Sequence, residues 1–254
     1  MGNEARSRVA SGKHGHTLIS DAKFRRLYEL ALERAQHADG DGLNAAMASV
    51  AADLRSDDVV VVQERGSVAE FDEQVITALS GAVADRLRKS GRLTVIVCRG
   101  PGSDPILLEA HQLADDAKLP VLFVEDRRKM NGATTKTSPP LPQKIGAMPA
   151  IPVDAEDVIA IYRVAHESMA RAREGSGPTR IQCMRWPSDN NGDAVGHLEE
   201  WLTARGLPAQ AWRREILAEL QARHGSAGNG AEDIQELRLA QATERRRESL
   251  WQRK

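Results

Sequence analysis

Aromatic residues are scarce in this sequence. Phe, Trp and Tyr together make up 4% of the 254 residues, so the core has to be built mainly from Ala, Val, Leu and Ile. There are only two cysteines, Cys98 and Cys183, and both lie in or beside apolar, strand-like runs. We therefore expect buried, reduced thiols and no disulfide framework.

Long hydrophobic runs are also lacking. No segment is long and apolar enough to span a bilayer, and the opening stretch "MGNEARSRVASGKHGH" has no apolar segment of the kind found in signal peptides. We expect a soluble, cytoplasmic protein that has no membrane partner.

The charge is nearly balanced. The formal net charge is −1 and the pI is about 6.7, so there is no global electrostatic attraction for nucleic acid. The run Arg245–Arg247 is followed by glutamate and is typical of a solvated helix. We expect no nucleic-acid partner.

Short apolar runs alternate with longer segments whose apolar residues recur at helical spacing, along most of the chain. The buried strands are predicted at "SDDVVVVQE", "RLTVIVC", "PVLFVE" and "PTRIQCMRW". Strands that alternate with helices predict an α/β fold with a doubly wound, mainly parallel sheet. Ser20 and Asp154 are expected to cap two of the helices, and residues 129–150 are expected to form a long loop.

The predicted organisation has three parts. Residues 1–17 form a polar leader that we expect to be disordered. Residues 18–205 form the α/β domain, and residues 206–254 form a C-terminal helical extension interrupted by a Gly-Leu-Pro break. All four tryptophans lie in the C-terminal third, where they are expected to pack the terminal helices onto the sheet.

Four stretches resemble a known family, the alpha component of the thiamine-diphosphate-dependent 2-oxoacid dehydrogenases, which includes the pyruvate, branched-chain and acetoin enzymes. They are "HTLISDAKFRRLYELALERAQ", "GLNAAMASVAADLRSDDVVVV", "LEAHQLADDAKLPVLFVED" and "IPVDAEDVIAIYRVAHESMARAREGSGPTRIQC". The resemblance covers most of residues 17–220. It implies a thiamine-diphosphate-binding fold, thiamine diphosphate with Mg²⁺ as cofactor, oxidoreductase activity on a 2-oxo acid or acetoin, and a beta-type partner chain.

The cofactor motif of that family is altered here. Aligned without gaps, its Gly-Asp-Gly falls on Cys98-Arg99-Gly100, its later Asn on Ser103, and its Asn-Asn pair on Arg127-Arg128. In the family, the Asp and an Asn bind Mg²⁺. A hard cation needs oxygen ligands, whereas arginine offers only donors and a fixed positive charge. Arg99, Gly100, Ser103 and Arg127 thus mark the cofactor-equivalent positions, and we expect no cofactor there.

Catalytic residues of the family are also missing. Its Gly-Gln-Glu-Ala element reads Gly42-Leu43-Asn44-Ala45, and the segment that carries an active-site histidine is absent between Gly66 and Ala78. We therefore assign no catalytic residue and no metal ligand, although the tripeptide Gly40-Asp41-Gly42 imitates the motif within a turn.

Three functions remain open. In the first, the chain is a degenerate, non-catalytic subunit that forms a homo-oligomer or binds a beta-type dehydrogenase chain. In the second, it is an active thiamine-diphosphate-dependent subunit whose Arg99 and Arg127 hold the diphosphate. In the third, the same loops bind another phosphorylated ligand. The alternative to the last two functions is that these arginines bind no ligand. Arginines in such positions more commonly lie in a solvated loop or form a salt bridge, here with Glu125, Asp126 or Asp104.

Overall fold

The fold is described from a computed structural model, which covers residues 19–36, 43–63, 68–99, 105–127, 147–184 and 193–226. The elements follow one another as α1 (Asp21–Gln36), α2 (Asn44–Ala51), β1 (Val59–Val62), α3 (Val68–Arg88), β2 (Thr94–Arg99), α4 (Pro105–Asp116), β3 (Val121–Asp126), β4 (Ala150–Asp154), α5 (Val158–Arg173), β5 (Thr179–Met184), α6 (Ala194–Ala204) and α7 (Ala209–Ser226).

The five strands form one parallel sheet in the order β1-β2-β3-β5-β4. Every residue of β3 and of β5 is buried, as is typical of parallel strands that are covered on both faces. The fold class expected from the sequence, an α/β fold with a doubly wound and mainly parallel sheet, is confirmed.

Each face of the sheet packs against its own helices. Along β2, Val95 and Val97 point into the core shared with α1, α2, α5, α6 and α7, whereas Ile96 and Cys98 point into the core shared with α3 and α4. Cys98 and Cys183 are both free and buried, which confirms the expected reduced thiols. They belong to opposite cores, because their strands present them on opposite faces.

Local signals place the start of α1 correctly and miss the start of α5. The backbone N–H of Lys23 donates to Oγ of Ser20 at 3.3 Å, so Ser20 caps α1 as predicted. The expected cap of α5 is wrong by three residues: Asp157 caps it by accepting from the N–H of Ala160 at 2.8 Å. Asp154 is instead the last residue of β4.

Strand β4 was not predicted. The strand Ala150–Asp154 includes Pro152. The sequence predicts a loop that ends at residue 150 and a helix cap at Asp154, with nothing assigned between them. Residues 129–146 of that loop lie outside the described residues. Proline lacks an N–H, so it is tolerated mainly in edge strands. β4 is such a strand, since it pairs with β5 alone at the edge of the sheet.

The small residues of α2 are used within the chain. Its alanines pack between α1 and α5, and Oγ of Ser49 donates to the carbonyl oxygen of Val158 at 2.9 Å. Helix α3 also contains small residues, among them Ala78 and Gly81, and its outer face is exposed at Ile76 and Leu87.

The C-terminal helices α6 and α7 pack on α1, where Trp201 contacts Phe24 with ring centroids 5.0 Å apart. Gly206, with φ of 76°, forms the break between the two helices. No helix in the described part of the chain combines the length and the apolar composition needed to cross a bilayer.

Candidate functional site

The carboxyl ends of β2 and β3 lie side by side. The register pairs Arg99 with Asp126 and Cys98 with Glu125, and Arg127 follows directly after β3, where its N–H donates to the carbonyl oxygen of Cys183 at 2.8 Å. The cofactor-equivalent positions Arg99 and Arg127 therefore end neighbouring strands. The other two, Gly100 and Ser103, lie outside the described residues.

A buried carboxylate, Glu125, lies at the centre of this end of the sheet. Arg180 grips it with two hydrogen bonds, from Nε to Oε1 at 2.8 Å and from Nη2 to Oε2 at 2.9 Å. Neither side chain has any exposed surface. The amide Nε2 of Gln182 also donates to Oε2 at 3.0 Å. Charge-assisted, bidentate pairs of this kind are among the stronger hydrogen-bonded contacts in proteins.

The backbone brings these three side chains together. β3 and β5 are parallel neighbours, with Glu125 opposite Gln182 and Phe123 opposite Arg180. Side chains two residues apart on a strand share a face, so Arg180 lies diagonally across from Glu125 on the face that α3 and α4 cover.

Arg127 is directed towards the same carboxylate. Its Nη1 lies 3.6 Å from Oε2 of Glu125, and its side chain is only 8% exposed. The guanidinium of Arg127 is thus part of a buried ion cluster. An ion pair with Glu125 is one of the structural alternatives that the sequence suggests for this arginine.

His111 closes the cluster from α4. It is fully buried, its Nε2 lies 3.3 Å from Oε1 of Glu125, and its ring packs edge-on against Phe123 with centroids 4.2 Å apart. Burial, and secondly the positive charge of Arg180, lower the pKa of His111 to about 3. His111 is therefore neutral at physiological pH. We call Glu125, Arg127, Arg180, Gln182 and His111 the Glu125 cluster.

The described part of this site does not fit a magnesium ion. The guanidinium of Arg127 has no lone pair to offer a cation, and both oxygens of Glu125 already accept from Arg180 and Gln182. Within the described ranges, no group of three or more His, Cys, Asp or Glu side chains is arranged to hold a metal ion.

A second polar cluster joins α1, α2 and α5 at the other side of the molecule. Asp53 accepts from Nζ of Lys23 at 2.6 Å, and its other oxygen lies 2.6 Å from Nδ1 of His166. Burial alone raises the pKa of Asp53, but the hydrogen bonds from Lys23 and His166 outweigh it and hold the pKa below its usual value. Burial and the nearby Asp53 raise the pKa of Tyr162 to about 12. His166 is mostly exposed, so this cluster is a set of hydrogen bonds at the surface that links the helices.

The sequence analysis did not assemble the Glu125 cluster. A signal was present in β5, where Arg180 and Gln182 alternate with Ile181 and Cys183. In a central strand, polar residues on alternate positions require polar partners, because buried polar groups must be hydrogen-bonded. Glu125, an acid inside the apolar run of β3, is such a partner.

Comparison with known proteins identifies the family. The family described as the dehydrogenase E1 component matches residues 13–187, which is more than half of the chain, so the protein belongs to that family. The resemblance inferred from the four sequence stretches is thereby confirmed.

The relatives match only in part. The alpha subunit of acetoin:2,6-dichlorophenolindophenol oxidoreductase from Bacillus subtilis is 34% identical over 109 residues, which is 36% of this chain and 33% of that protein. The pyruvate dehydrogenase E1 component subunit alpha of Porphyra purpurea is 31% identical, over 39% of this chain and 32% of its own length. The matched region thus spans about a third of these relatives. Transketolase from Campylobacter jejuni overlaps 77% of this chain and 44% of its own, with 11% identity and a TM-score of 0.41.

Proposed function

We propose that this chain is a cytoplasmic, non-catalytic member of the dehydrogenase E1 component family that works by binding another protein chain. The observation that carries the proposal is the guanidinium of Arg127, which follows β3 and is ion-paired with buried Glu125. The family resemblance puts the first asparagine of the cofactor-binding Asn-Asn pair at this position. A guanidinium, which only donates hydrogen bonds, stands there in place of an amide that has an oxygen.

The electrostatic cost of binding Mg²⁺ at this position is large. Two unit charges 4 Å apart interact by about 4 kcal/mol at an effective dielectric constant near 20, so a divalent ion beside a guanidinium is repelled by about 8 kcal/mol. Glu125 does not cancel this repulsion, because Arg180 adds a second positive charge beside the same carboxylate, so two guanidinium groups face one anion. The charge arrangement therefore favours a chain that does not bind the magnesium complex of thiamine diphosphate.

A partner chain is supported by the outer surface of α3. Ile76, Ser80, Val83 and Leu87 recur at a helical spacing that places them on one face. Ile76 and Leu87 are 54% and 80% exposed, whereas Val83 is partly buried against the core beneath α3. We call these four residues the α3 stripe. At 1.5 Å per residue it is about 16 Å long, and exposed apolar residues grouped in this way are typical of interaction surfaces.

The proposed occupant of the α3 stripe is a beta-type dehydrogenase chain. The relatives from Bacillus subtilis and Porphyra purpurea are both named as alpha subunits, and an alpha subunit implies a partner of another kind. Self-association through the same stripe is the alternative that the experiment must separate.

The absence of cofactor binding is tested by thermal unfolding with thiamine diphosphate and Mg²⁺, together with titration calorimetry. We expect no shift and no binding heat. A ligand at a hundred times its Kd that binds only the folded chain raises the melting temperature by about 5–10 °C. A saturable shift of this size that requires Mg²⁺ would instead favour an active subunit with an arginine-based diphosphate site. A shift with phosphorylated ligands in the absence of metal would favour the third function.

Partner binding is tested by co-expression with a beta-type dehydrogenase chain, followed by affinity capture and light scattering. We expect a defined hetero-oligomer that is weakened by Ile76→Glu and Leu87→Glu. Leu113→Glu on α4, where Leu113 is 47% exposed, is the matched control and should leave the complex intact. A monomer that captures no beta-type chain would refute partner binding. A homo-oligomer disrupted by the same two substitutions would replace the beta-type partner with a second copy.

A further inference from the structure

Four side chains surround the carboxylate of Glu125 from three directions. Arg180 and Gln182 approach it from β5, at 2.8 to 3.0 Å. Arg127 approaches from the end of β3 at 3.6 Å, and His111 from α4 at 3.3 Å. Arg180 and Gln182 supply the hydrogen-bond donors that a binding site for a small oxyanion requires. Arg127 adds a second positive charge, and both ring nitrogens of His111 are buried without a hydrogen-bond partner. The anion that these side chains hold belongs to the chain itself.

The charges of the cluster also require an anion between the two arginines. Two guanidinium groups face one carboxylate, and His111 is neutral because burial and Arg180 lower its pKa to about 3. The carboxylate is therefore the charge that permits two arginines to remain buried together, since an unpaired buried cation is strongly unfavourable.

We propose that the Glu125 cluster is a buried carboxylate-binding site whose resident ligand is the side chain of Glu125, which closes the carboxyl end of the central strands to external oxyanions. The site selects a planar anion with two oxygens and one negative charge, because the Nε and Nη2 of Arg180 contact both oxygens of Glu125 in a fork. Shortening Glu125 to alanine removes the carboxylate and leaves a space between donors that remain in place. The group removed is –CH2–COO⁻, so formate, the smallest carboxylate, fits within that space.

The inference is tested by chemical rescue of Glu125→Ala. We expect formate to raise the melting temperature of this variant saturably, by about 3–6 °C at ten times its Kd. Formamide has the same shape without the charge and should give no shift, as should chloride at equal ionic strength. Wild-type protein should not respond to formate, since its own carboxylate fills the site.

Two further variants show whether the rescue by formate depends on the donors and on the carboxylate. Glu125→Ala combined with Arg180→Met has the space but lacks the fork, and it should lose the rescue. Glu125→Asp retains a carboxylate and should be less destabilised than Glu125→Ala without any added anion. A response to formate that is equal in the variant with and without Arg180, or equal with formamide, would overturn the inference. So would a saturable response of the wild-type chain.

A variant that is not recovered folded still gives a result. Wild-type and Glu125→Ala chains unfolded in urea are then diluted with formate or formamide, and the folded yield is compared. Rescue by formate alone supports the site, and equal yields refute it. The inference does not depend on the proposed function: absence of rescue would leave the expected lack of cofactor binding untouched, and binding of thiamine diphosphate would leave the rescue untouched.

Discussion

Replacing Arg180 with methionine removes a fully buried guanidinium and keeps most of the length of its side chain. The carboxylate of Glu125 then loses the two hydrogen bonds of 2.8 and 2.9 Å and keeps Gln182 and the more distant Arg127. Breaking a buried ion pair by removing one partner costs about 3–5 kcal/mol. Glu125→Leu should cost a similar amount, because it leaves two guanidinium groups buried without their anion.

The double variant Glu125→Leu/Arg180→Met should be much less destabilised than the sum of the two single variants. Buried ion pairs that are replaced by apolar side chains of similar volume are often close to neutral in stability. Urea unfolding followed by circular dichroism measures the three free energies of unfolding, with unchanged m-values as the check that the unfolded states are comparable.

The exposed pair of Arg26 and Glu29 provides a matched control for that cycle. Arg26→Met should cost less than about 1 kcal/mol, as is usual for surface ion pairs. If the single effects at Glu125 and Arg180 added within about 0.5 kcal/mol, the two residues would not act as a unit, and the account of the Glu125 cluster would be wrong.

Three other predictions follow from individual contacts. His111→Leu should flatten the dependence of stability on pH between about 6.5 and 3, because the unfolded chain takes up a proton on this histidine in that range while the folded chain, with the pKa of His111 lowered to about 3, does not; urea unfolding at a series of pH values tests this, and an unchanged slope would contradict it. Burial raises the pKa of Asp58, but the hydrogen bonds from Arg173 and two backbone N–H groups outweigh it and hold the pKa below its usual value. The wild-type chain should therefore lose stability as pH falls below about 4, the ordinary aspartate pKa, and Asp58→Asn, less stable at neutral pH, should lose less over that interval. Ser20→Ala should destabilise the chain by about 1 kcal/mol through loss of the cap at Lys23, whereas Ser20→Asp should not.

Part of the site was visible in the sequence. The positions of Arg99 and Arg127 after two apolar runs were enough to place both at carboxyl ends of strands, because parallel strands in βαβ units end on the same side of a sheet. Glu125 was noted only as one of several acids that could pair with these arginines. Its partner Arg180 lies 55 residues away in the chain, and no local sequence pattern specifies a contact between residues so far apart.

The sequence by itself determined the elements whose signals are local. The buried strands β1, β2, β3 and β5, the cap at Ser20 and the glycine break before α7 depend on a few consecutive side chains, so they could be predicted without a partner. Only the tertiary structure decided the order β1-β2-β3-β5-β4, the edge strand that contains Pro152, and the ion cluster around Glu125. These depend on which strands become neighbours, and that choice is made by burial of the whole sheet between its two layers of helices, to which residues far apart in the chain contribute together.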